Sequence, residues 1–214
     1  MRKKETPLNQ LQAFLPPDTF RMVAPYFQKY TIHITLTRER KTVLGDYRVP
    51  TATHPYHRIT VNVNLNPYNF LITLVHEMAH MITYEHFKDK VAAHGREWKT
   101  QFRHMLMPYI GKKIFPADVE KALIKYMHNP SASTCTDQDL YKALYNYDSR
   151  EPWHMLICDL EPGHWFQTDD GRVFEKLEQL RTRSLCKEIG TRKKYFFPGI
   201  YEVKRVRRER QQIA

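Results

Sequence analysis

Apolar and polar residues alternate in two segments of the first third of the chain, and this alternation predicts β-strands with a further strand between them. The three predicted segments cover residues 32–36, 42–49 and 57–65, and we expect the first two to pair as a hairpin. The third segment is the most regular, with isoleucine, valine and leucine on one face and three polar residues on the other. These polar residues are Thr60, Asn62 and Asn64.

Apolar residues at helical spacing predict helices on both sides of these strands. Two short helices fall between residues 6 and 29, separated by Pro16-Pro17, and Asp18 is placed to cap the second. Residues 116–128 and 136–147 predict two later helices, which we expect to cover the core.

The most apolar segment follows the third strand directly. Asn66 can cap a helix, Pro67 suits its first turn, and apolar residues then occupy almost every side of the helix as far as Tyr84 or beyond. A helix that is apolar on all sides is buried in a core. The predicted fold class is therefore α+β, with N-terminal helices, a small antiparallel or mixed sheet and one buried helix.

Three polar residues interrupt the buried helix in the pattern H-E-x-x-H. His76 and His80 are about one helical turn apart, so both imidazoles point to the same side and can bind one metal ion. Glu77 can take a proton from a water molecule on that ion. Polar groups left unpaired in a core cost several kcal/mol, so these residues either form hydrogen bonds or line a cleft that holds a metal. Two histidines with the intervening glutamate favour the metal.

A catalytic zinc site needs a third protein ligand and an open position for water. His86 lies ten residues after His76, as in metzincins, but that pattern requires glycine where this chain has Thr83. A helix that continues past this point turns His86 about 120° away from His80. His94 follows a charged loop and precedes a further predicted helix, and we therefore prefer His94 as the third ligand.

The two motifs, H-E-M-A-H at 76–80 and H-G-R-E-W at 94–98, resemble those of the SprT-like zinc metalloprotease family, which includes the Spartan-type proteases. The strand that leads into the metal helix is also similar, and the resemblance covers residues 6–115. It implies a zincin-like fold with one catalytic zinc ion and a glutamate as general base. The zinc ligands that it implies are His76, His80 and His94, and the base is Glu77.

The resemblance also implies what such a site acts on. It indicates a link to DNA and to the proteins bound on it, as in the repair of DNA-protein crosslinks. In zincins an edge strand beside the metal helix holds the substrate as an added strand, which predicts that Thr60, Asn62 and Asn64 lie near the cleft. The group that stabilises the oxyanion stays open, with Tyr84 one of several tyrosines and histidines that could serve.

Short alternating segments separated by turns predict a small β module from Trp153 onwards. Many SprT-like proteins add a zinc ribbon with two C-x-x-C pairs, whereas Cys135, Cys158 and Cys186 stand far apart in this chain. We therefore interpret the module as similar to a zinc ribbon without its metal. The cysteines are interpreted as free thiols of a reducing compartment.

The net charge of +11 is concentrated towards the end of the chain. Residues 171–214 hold 13 Lys or Arg against 5 Asp or Glu, which predicts a basic face for DNA. The residues predicted to form this face are Arg181, Arg183, Arg192, Lys193, Lys194, Lys204 and Arg205. Aromatic residues between them can stack on exposed bases or fill the core of the module, and we favour the core. These aromatic residues are Trp165, Phe166, Tyr195, Phe196 and Phe197.

These patterns together predict a zinc-dependent peptidase that cleaves proteins on or near DNA. Two other functions stay open. One is a non-catalytic nucleic-acid-associated factor, in which His54 or His57 supplies a fourth ligand to a structural zinc site. The other is a zinc hydrolase of small peptides. No segment is long enough to span a membrane, and we expect a monomer in the cytoplasm, nucleoid-associated if the protein is bacterial. The predicted parts are a catalytic core at 1–115, covering helices at 116–148, a basic β module at 149–206 and a basic tail at 207–214.

Overall fold

The computed structural model describes residues 6–38, 40, 43–131 and 137–206. The chain forms two compact units, Met1–Asp148 and Ser149–Ala214. The first combines helices with a three-stranded sheet and the second contains a six-stranded sheet, so the fold class is α+β as predicted. No helix in the described part of the chain combines the length and the apolar character needed to cross a membrane.

The sheet of the first unit has its most buried strand in the middle. Its strands are β1 (Ile32–Thr37), β2 (Gly45–Arg48) and β3 (His57–Asn62), and their order is β1-β3-β2. β3 runs parallel to β1 and antiparallel to β2. The predicted hairpin of β1 and β2 is therefore wrong. Because all but one residue of β3 is buried, this strand needs neighbours on both edges.

The N-terminal segment forms a 3-10 helix, Leu8–Phe14, followed by helix α1, Phe20–Lys29. The prediction that Asp18 caps this second helix is wrong. Asp18 has a left-handed backbone with φ 63°, and Thr19 takes the N-cap position without a side-chain bond to the helix. The Thr19 hydroxyl instead donates to the carbonyl of Pro16 at 2.7 Å.

Helix α2, Pro67–Phe87, begins where the sequence predicts and forms the centre of the first unit. The Asn66 side chain accepts hydrogen bonds from the backbone N–H of Tyr68 and Asn69 at 3.1 and 3.0 Å. Its amide nitrogen donates to the Leu144 carbonyl at 3.0 Å and to Asp148 Oδ1 at 2.7 Å. One side chain therefore caps α2 and also ties it to the end of a later helix.

The described part of the first unit has three further α-helices: α3 (Arg96–Leu106), α4 (Ala117–Met127) and α5 (Gln138–Tyr145). α3 packs against α2, and α4 packs against α5. The apolar face of α3 is buried as predicted, with Trp98 and Phe102 fully buried. Their rings stack with centroids 5.0 Å apart, so α3 presents a rigid aromatic surface to α2.

The described part of the second unit forms a six-stranded sheet. Its strands are β4 (His154–Leu156), β5 (Trp165–Gln167), β6 (Val173–Gln179), β7 (Arg183–Glu188), β8 (Lys194–Pro198) and β9 (Glu202–Val206). Their order in the sheet is β4-β9-β5-β6-β7-β8. The core between them is small and holds Ile157, Leu160, Phe166, Phe174, Cys186 and Val203. Cys158 and Cys186 form no disulfide, as predicted, and Cys135 lies outside the described residues.

A buried lysine organises the turn that follows β4. Lys176 is 1% exposed, and burial lowers the pKa of its ammonium group. Its Nζ donates to the carbonyls of Ile157 at 2.8 Å, Cys158 at 3.4 Å and Leu160 at 2.6 Å. A fixed ammonium group thus satisfies three carbonyls of one tight turn.

Asn66→Ala is expected to lower the free energy of unfolding of the first unit by about 2–3 kcal/mol, because it removes both the cap of α2 and the bonds to Leu144 and Asp148. Urea denaturation followed by circular dichroism measures this loss. Asn64→Ala is the matched control, since Asn64 is exposed in the turn after β3. Equal stability of the two variants would contradict the role given to Asn66.

Candidate metal centre

Three histidine side chains of the first unit converge on one point. His76 Nε2 lies 3.2 Å from His80 Nε2 and 3.3 Å from His94 Nε2, and the last two atoms are 3.0 Å apart. Ligands held about 2.0–2.1 Å from a tetrahedral zinc ion lie roughly 3.3 Å from one another. The spacing of the three nitrogens therefore fits a single metal ion between them. A search of the described residues for clustered histidine, cysteine and carboxylate side chains finds these three histidines as a possible metal site.

Helix geometry and an aromatic support place these ligands. His76 and His80 lie on the same side of α2, and His94 sits in the turn just before α3. The indole of Trp98 contacts all three imidazoles, with ring centroids 4.6 Å from His76, 5.2 Å from His80 and 4.8 Å from His94. Because Trp98 is fully buried, it holds the three rings in fixed positions.

The other histidines considered from the sequence do not join this group. Helix α2 continues past Thr83 to Phe87, as expected, so exposed His86 lies away from the ligands. His54 Nδ1 is 3.1 Å from the hydroxyl of its neighbour Thr53, and His57 Nδ1 is hydrogen-bonded to the hydroxyl of Tyr47. Among the described residues the group of possible metal ligands therefore consists of three histidines without a fourth residue. A zinc ion held by three protein ligands would keep a position for water.

Burial keeps the imidazoles of the site neutral. It lowers the pKa of His76 to about 3, and the neighbouring His80 and His94 act in the same direction. It also lowers the pKa of His80 to about 3 and lowers that of His94. Neutral imidazole is the form that binds a metal, so these ligands need not lose a proton near neutral pH.

Glu77 lies beside the ligands and in close contact with the edge strand β2. A Cβ atom at Gly45 would lie 2.6 Å from Glu77 Oε1, so only glycine allows β2 to approach this carboxyl group so closely. Burial raises the pKa of Glu77 to about 8, with Asp46 adding to the rise and Arg40 opposing it. The carboxyl group is thus held in a dry position where a nearby cation strongly changes its proton affinity.

A cleft of about 450 Å³ opens in front of the histidines. One wall is β2, which contributes Gly45, Asp46 and Tyr47, and the other includes residues from the end of α2 to His94. Tyr47 stacks parallel to His80 with ring centroids 6.4 Å apart. The cleft therefore joins the candidate metal ligands, the glutamate and the free edge of a strand.

A hydrogen-bonded chain fixes the position of Tyr47. Its hydroxyl oxygen is 3.0 Å from His57 Nδ1, and His57 Nε2 is 3.3 Å from Glu85 Oε1. Burial lowers the pKa of His57, while Glu85 opposes that shift. In the neutral imidazole the proton belongs on Nε2, facing the carboxylate, so Tyr47 donates its hydroxyl proton to Nδ1.

The prediction that β3 is the substrate strand is wrong, because β3 lies between β1 and β2 and has no free edge. Thr60 and Asn62 are buried, and Asn64 is exposed in a turn beyond the strand. Asn62 serves the structure: its Oδ1 accepts from Arg40 Nε at 2.8 Å, and its Nδ2 donates to the Val43 carbonyl at 3.0 Å. The free edge beside the cleft is that of β2, a short strand with a weak apolar pattern.

The seven basic residues predicted in the second unit are all exposed, but they do not share one face. Strand alternation places Arg183, Lys194 and Lys204 opposite the core residues of β7, β8 and β9, and Arg205 on the other side. Arg181 lies in the turn before β7, whereas Arg192 and Lys193 lie in the turn after it.

The aromatic residues of the second unit divide between its core and its surface. Phe166 is fully buried, and Tyr195 and Phe197 pack against the core, as we favoured. Phe196 is 60% exposed and lies on the outer face with Lys194. Trp165 is half-buried. The outer face also contains Lys187, which pairs across the sheet with Lys194 and which the sequence patterns did not single out.

The architecture and the site are those of an α+β protein with a histidine triad able to hold a metal. Residues 19–118 match the model of the SprT-like family, which confirms the resemblance carried by the two motifs and suggests a function of metallopeptidase type. The matched segment includes all three histidines and Glu77. The comparisons with curated proteins and with solved structures found no match.

His94→Ala is expected to weaken zinc binding by more than about 100-fold, because it removes one of three ligands, whereas His86→Ala is expected to leave binding unchanged. Metal content after dialysis against a weak chelator, measured by mass spectrometry, compares the two variants. Loss of zinc in His86→Ala alone would show that the third ligand is assigned wrongly.

Proposed function

We propose that this protein is a zinc-dependent endopeptidase with a zincin-like catalytic unit. The observation that supports this proposal is the placement of three neutral imidazoles and one buried carboxyl group around a single open cleft. The ligand set, imidazole nitrogens at tetrahedral spacing, is one that zinc favours. The second unit has strands and tight turns but no metal-ligand group among its described residues, and we interpret it as similar to a zinc ribbon without its metal.

His76, His80 and His94 would hold the zinc ion, which when bound polarises a peptide carbonyl and lowers the pKa of water. Glu77 acts as the general base: its carboxylate takes the proton of the attacking water and returns it to the leaving amine. Gly45 permits β2 to pack on this carboxyl group and limits its movement. Trp98 and Phe102 exclude water from behind the ligands.

The free edge of β2 is the feature that supports a peptide substrate. β2 pairs only with β3 within the described sheet, so its other edge has unpaired backbone groups beside the cleft. An extended peptide can bind such an edge as an additional strand. The scissile bond would then lie in the cleft that Glu77 and the three histidines line.

DNA is the partner that we propose for the second unit, through the outer face of its sheet. This face presents Phe196, which is 60% exposed, between Lys194 on the same strand and Leu185 on the neighbouring strand. An exposed aromatic ring next to ammonium groups is suited to single-stranded DNA, because bases stack on the ring and cations bind the backbone. A protein substrate held on DNA would thereby be brought to the enzyme.

Glu77→Gln is expected to keep one zinc ion per chain and to lower cleavage of a basic DNA-binding protein by at least about 100-fold, because the amide cannot accept the proton of water. Cleavage is followed by gel electrophoresis with and without single-stranded DNA. Glu161→Gln, an exposed position in the second unit, is the charge-matched control.

Undiminished cleavage by the zinc-loaded Glu77→Gln protein would exclude the proposed mechanism. A wild-type protein that binds zinc and DNA but cleaves nothing would instead support the non-catalytic factor. Cleavage of short peptides without any binding to DNA would support the small-peptide hydrolase.

Phe196→Ala is expected to weaken binding of single-stranded DNA by about 5-fold to 100-fold, since one stacked base contributes roughly 1–3 kcal/mol. Lys194→Gln is expected to weaken binding and to reduce the salt dependence by about one phosphate contact. Fluorescence anisotropy at several salt concentrations measures both effects. Lys121→Gln, exposed on α4 in the first unit, controls for net charge, and equal loss in all three variants would contradict this interface.

A further inference from the structure

Peptide hydrolysis places negative charge on the carbonyl oxygen, and a side chain with an unused hydrogen-bond donor stabilises that charge most effectively. The sequence alone left this group open among several tyrosines and histidines. In the structure, the cleft in front of the histidines is lined by four side chains that carry a hydroxyl or ammonium donor. These are Tyr47, Thr83, Tyr84 and Lys88.

Two of the four hydroxyl or ammonium groups already donate to a fixed acceptor. The hydroxyl of Tyr47 is bonded to His57 Nδ1 at 3.0 Å. The hydroxyl of Thr83 donates to the Ala79 carbonyl of its own helix at 2.7 Å. Neither hydroxyl group can donate to a substrate without first breaking its present hydrogen bond.

Lys88 keeps unused hydrogens, but its position favours a supporting role. Its Nζ donates to Glu85 Oε1 at 3.1 Å, and its side chain is 54% exposed. Solvent weakens the interaction of such an ammonium group with a developing charge. The same Nζ lies 4.7 Å from the centroid of the Tyr84 ring, so its positive charge acts beside that ring.

Tyr84 combines a free hydroxyl with the right helix face. Among the described residues none forms a hydrogen bond with its hydroxyl group, although the residue lines the cleft. It follows His80 by four positions on α2, which places both side chains on one side of the helix. Helical side chains lean towards the N-terminus, so the Tyr84 ring leans towards the turn that carries His80.

Neighbouring side chains restrict the Tyr84 ring. His57 packs against it edge-to-face, with ring centroids 6.3 Å apart, and Lys88 covers it. His57 is itself buried and hydrogen-bonded, so it provides a rigid support. A donor that is held in place before substrate binds loses little entropy when the charge develops.

We propose that Tyr84 is a catalytic residue that donates its hydroxyl hydrogen bond to the peptide carbonyl oxygen as that oxygen becomes negative. The proton stays on Tyr84, and no bond to the tyrosine forms or breaks. This assignment rests on the proposed peptidase function and names a group of the same site. The two residues then have separate roles: Glu77 acts on the attacking water, and Tyr84 acts on the carbonyl oxygen.

Tyr84→Phe, which removes only the hydroxyl group, tests the assignment in two ways. In cleavage assays kcat is expected to fall by about 100-fold while KM changes by less than about twofold, because the bond forms with the charged oxygen and not with the neutral substrate. In calorimetry with the zinc-loaded protein, a phosphinic tetrapeptide (alanine at all four positions) is expected to bind at least about 10-fold more weakly than to wild type. Tyr56→Phe, outside the cleft lining, is the matched control.

The two measurements separate the assignment from the proposed function. A wild-type protein that cleaves no substrate contradicts the peptidase function, whatever the variant does. Equal binding of the phosphinic peptide by wild type and Tyr84→Phe, or its failure to bind wild type, overturns the assignment of Tyr84. A larger loss of phosphinic peptide binding in Tyr47→Phe than in Tyr84→Phe overturns it in favour of Tyr47. Zinc content is measured in every variant, so that loss of metal is recognised.

Discussion

The burial of polar groups on an apolar helix is the constraint on which the first unit depends. α2 buries His76 and Glu77 among core residues, where unpaired polar groups cost several kcal/mol. The surrounding elements converge on these buried polar groups: α3 supplies the aromatic support, the turn before it supplies His94, and β2 closes over Glu77. The sheet, the helices and the cleft are therefore parts of one arrangement around three nitrogens.

Much of this site could be predicted from the sequence because the relevant signals are local. The Asn66-Pro67 start, the continuation of α2 past Thr83 and the apolar face of α3 each depend on residues within a few turns. Once the helix continues, its geometry alone turns His86 away from the ligands. The preference for His94 thus came from helix periodicity and from its position just before a further helix, and the structure brings His94 to the other two histidines.

Strand neighbours and surface faces could not be predicted in the same way. Alternation tells which residues share a face of a strand, but it does not tell which strand lies beside it. Hence β1 and β2 were expected to pair, although β3 separates them, and the substrate edge was assigned to β3 when the free edge belongs to β2. The basic residues of the second unit were expected on one face for a similar reason. They are close in sequence, but Arg181 and Arg192 lie at opposite ends of β7.

The glycine at the start of β2 has a mechanical consequence. Because Gly45 lies against Glu77 without an intervening side chain, the backbone of the edge strand and the Glu77 carboxyl group are in direct van der Waals contact. A side chain at position 45 would meet both Glu77 and Thr73 of α2, so it would force the strand and the helix apart. The spacing between β2 and α2 is thus set by the absence of a single Cβ atom.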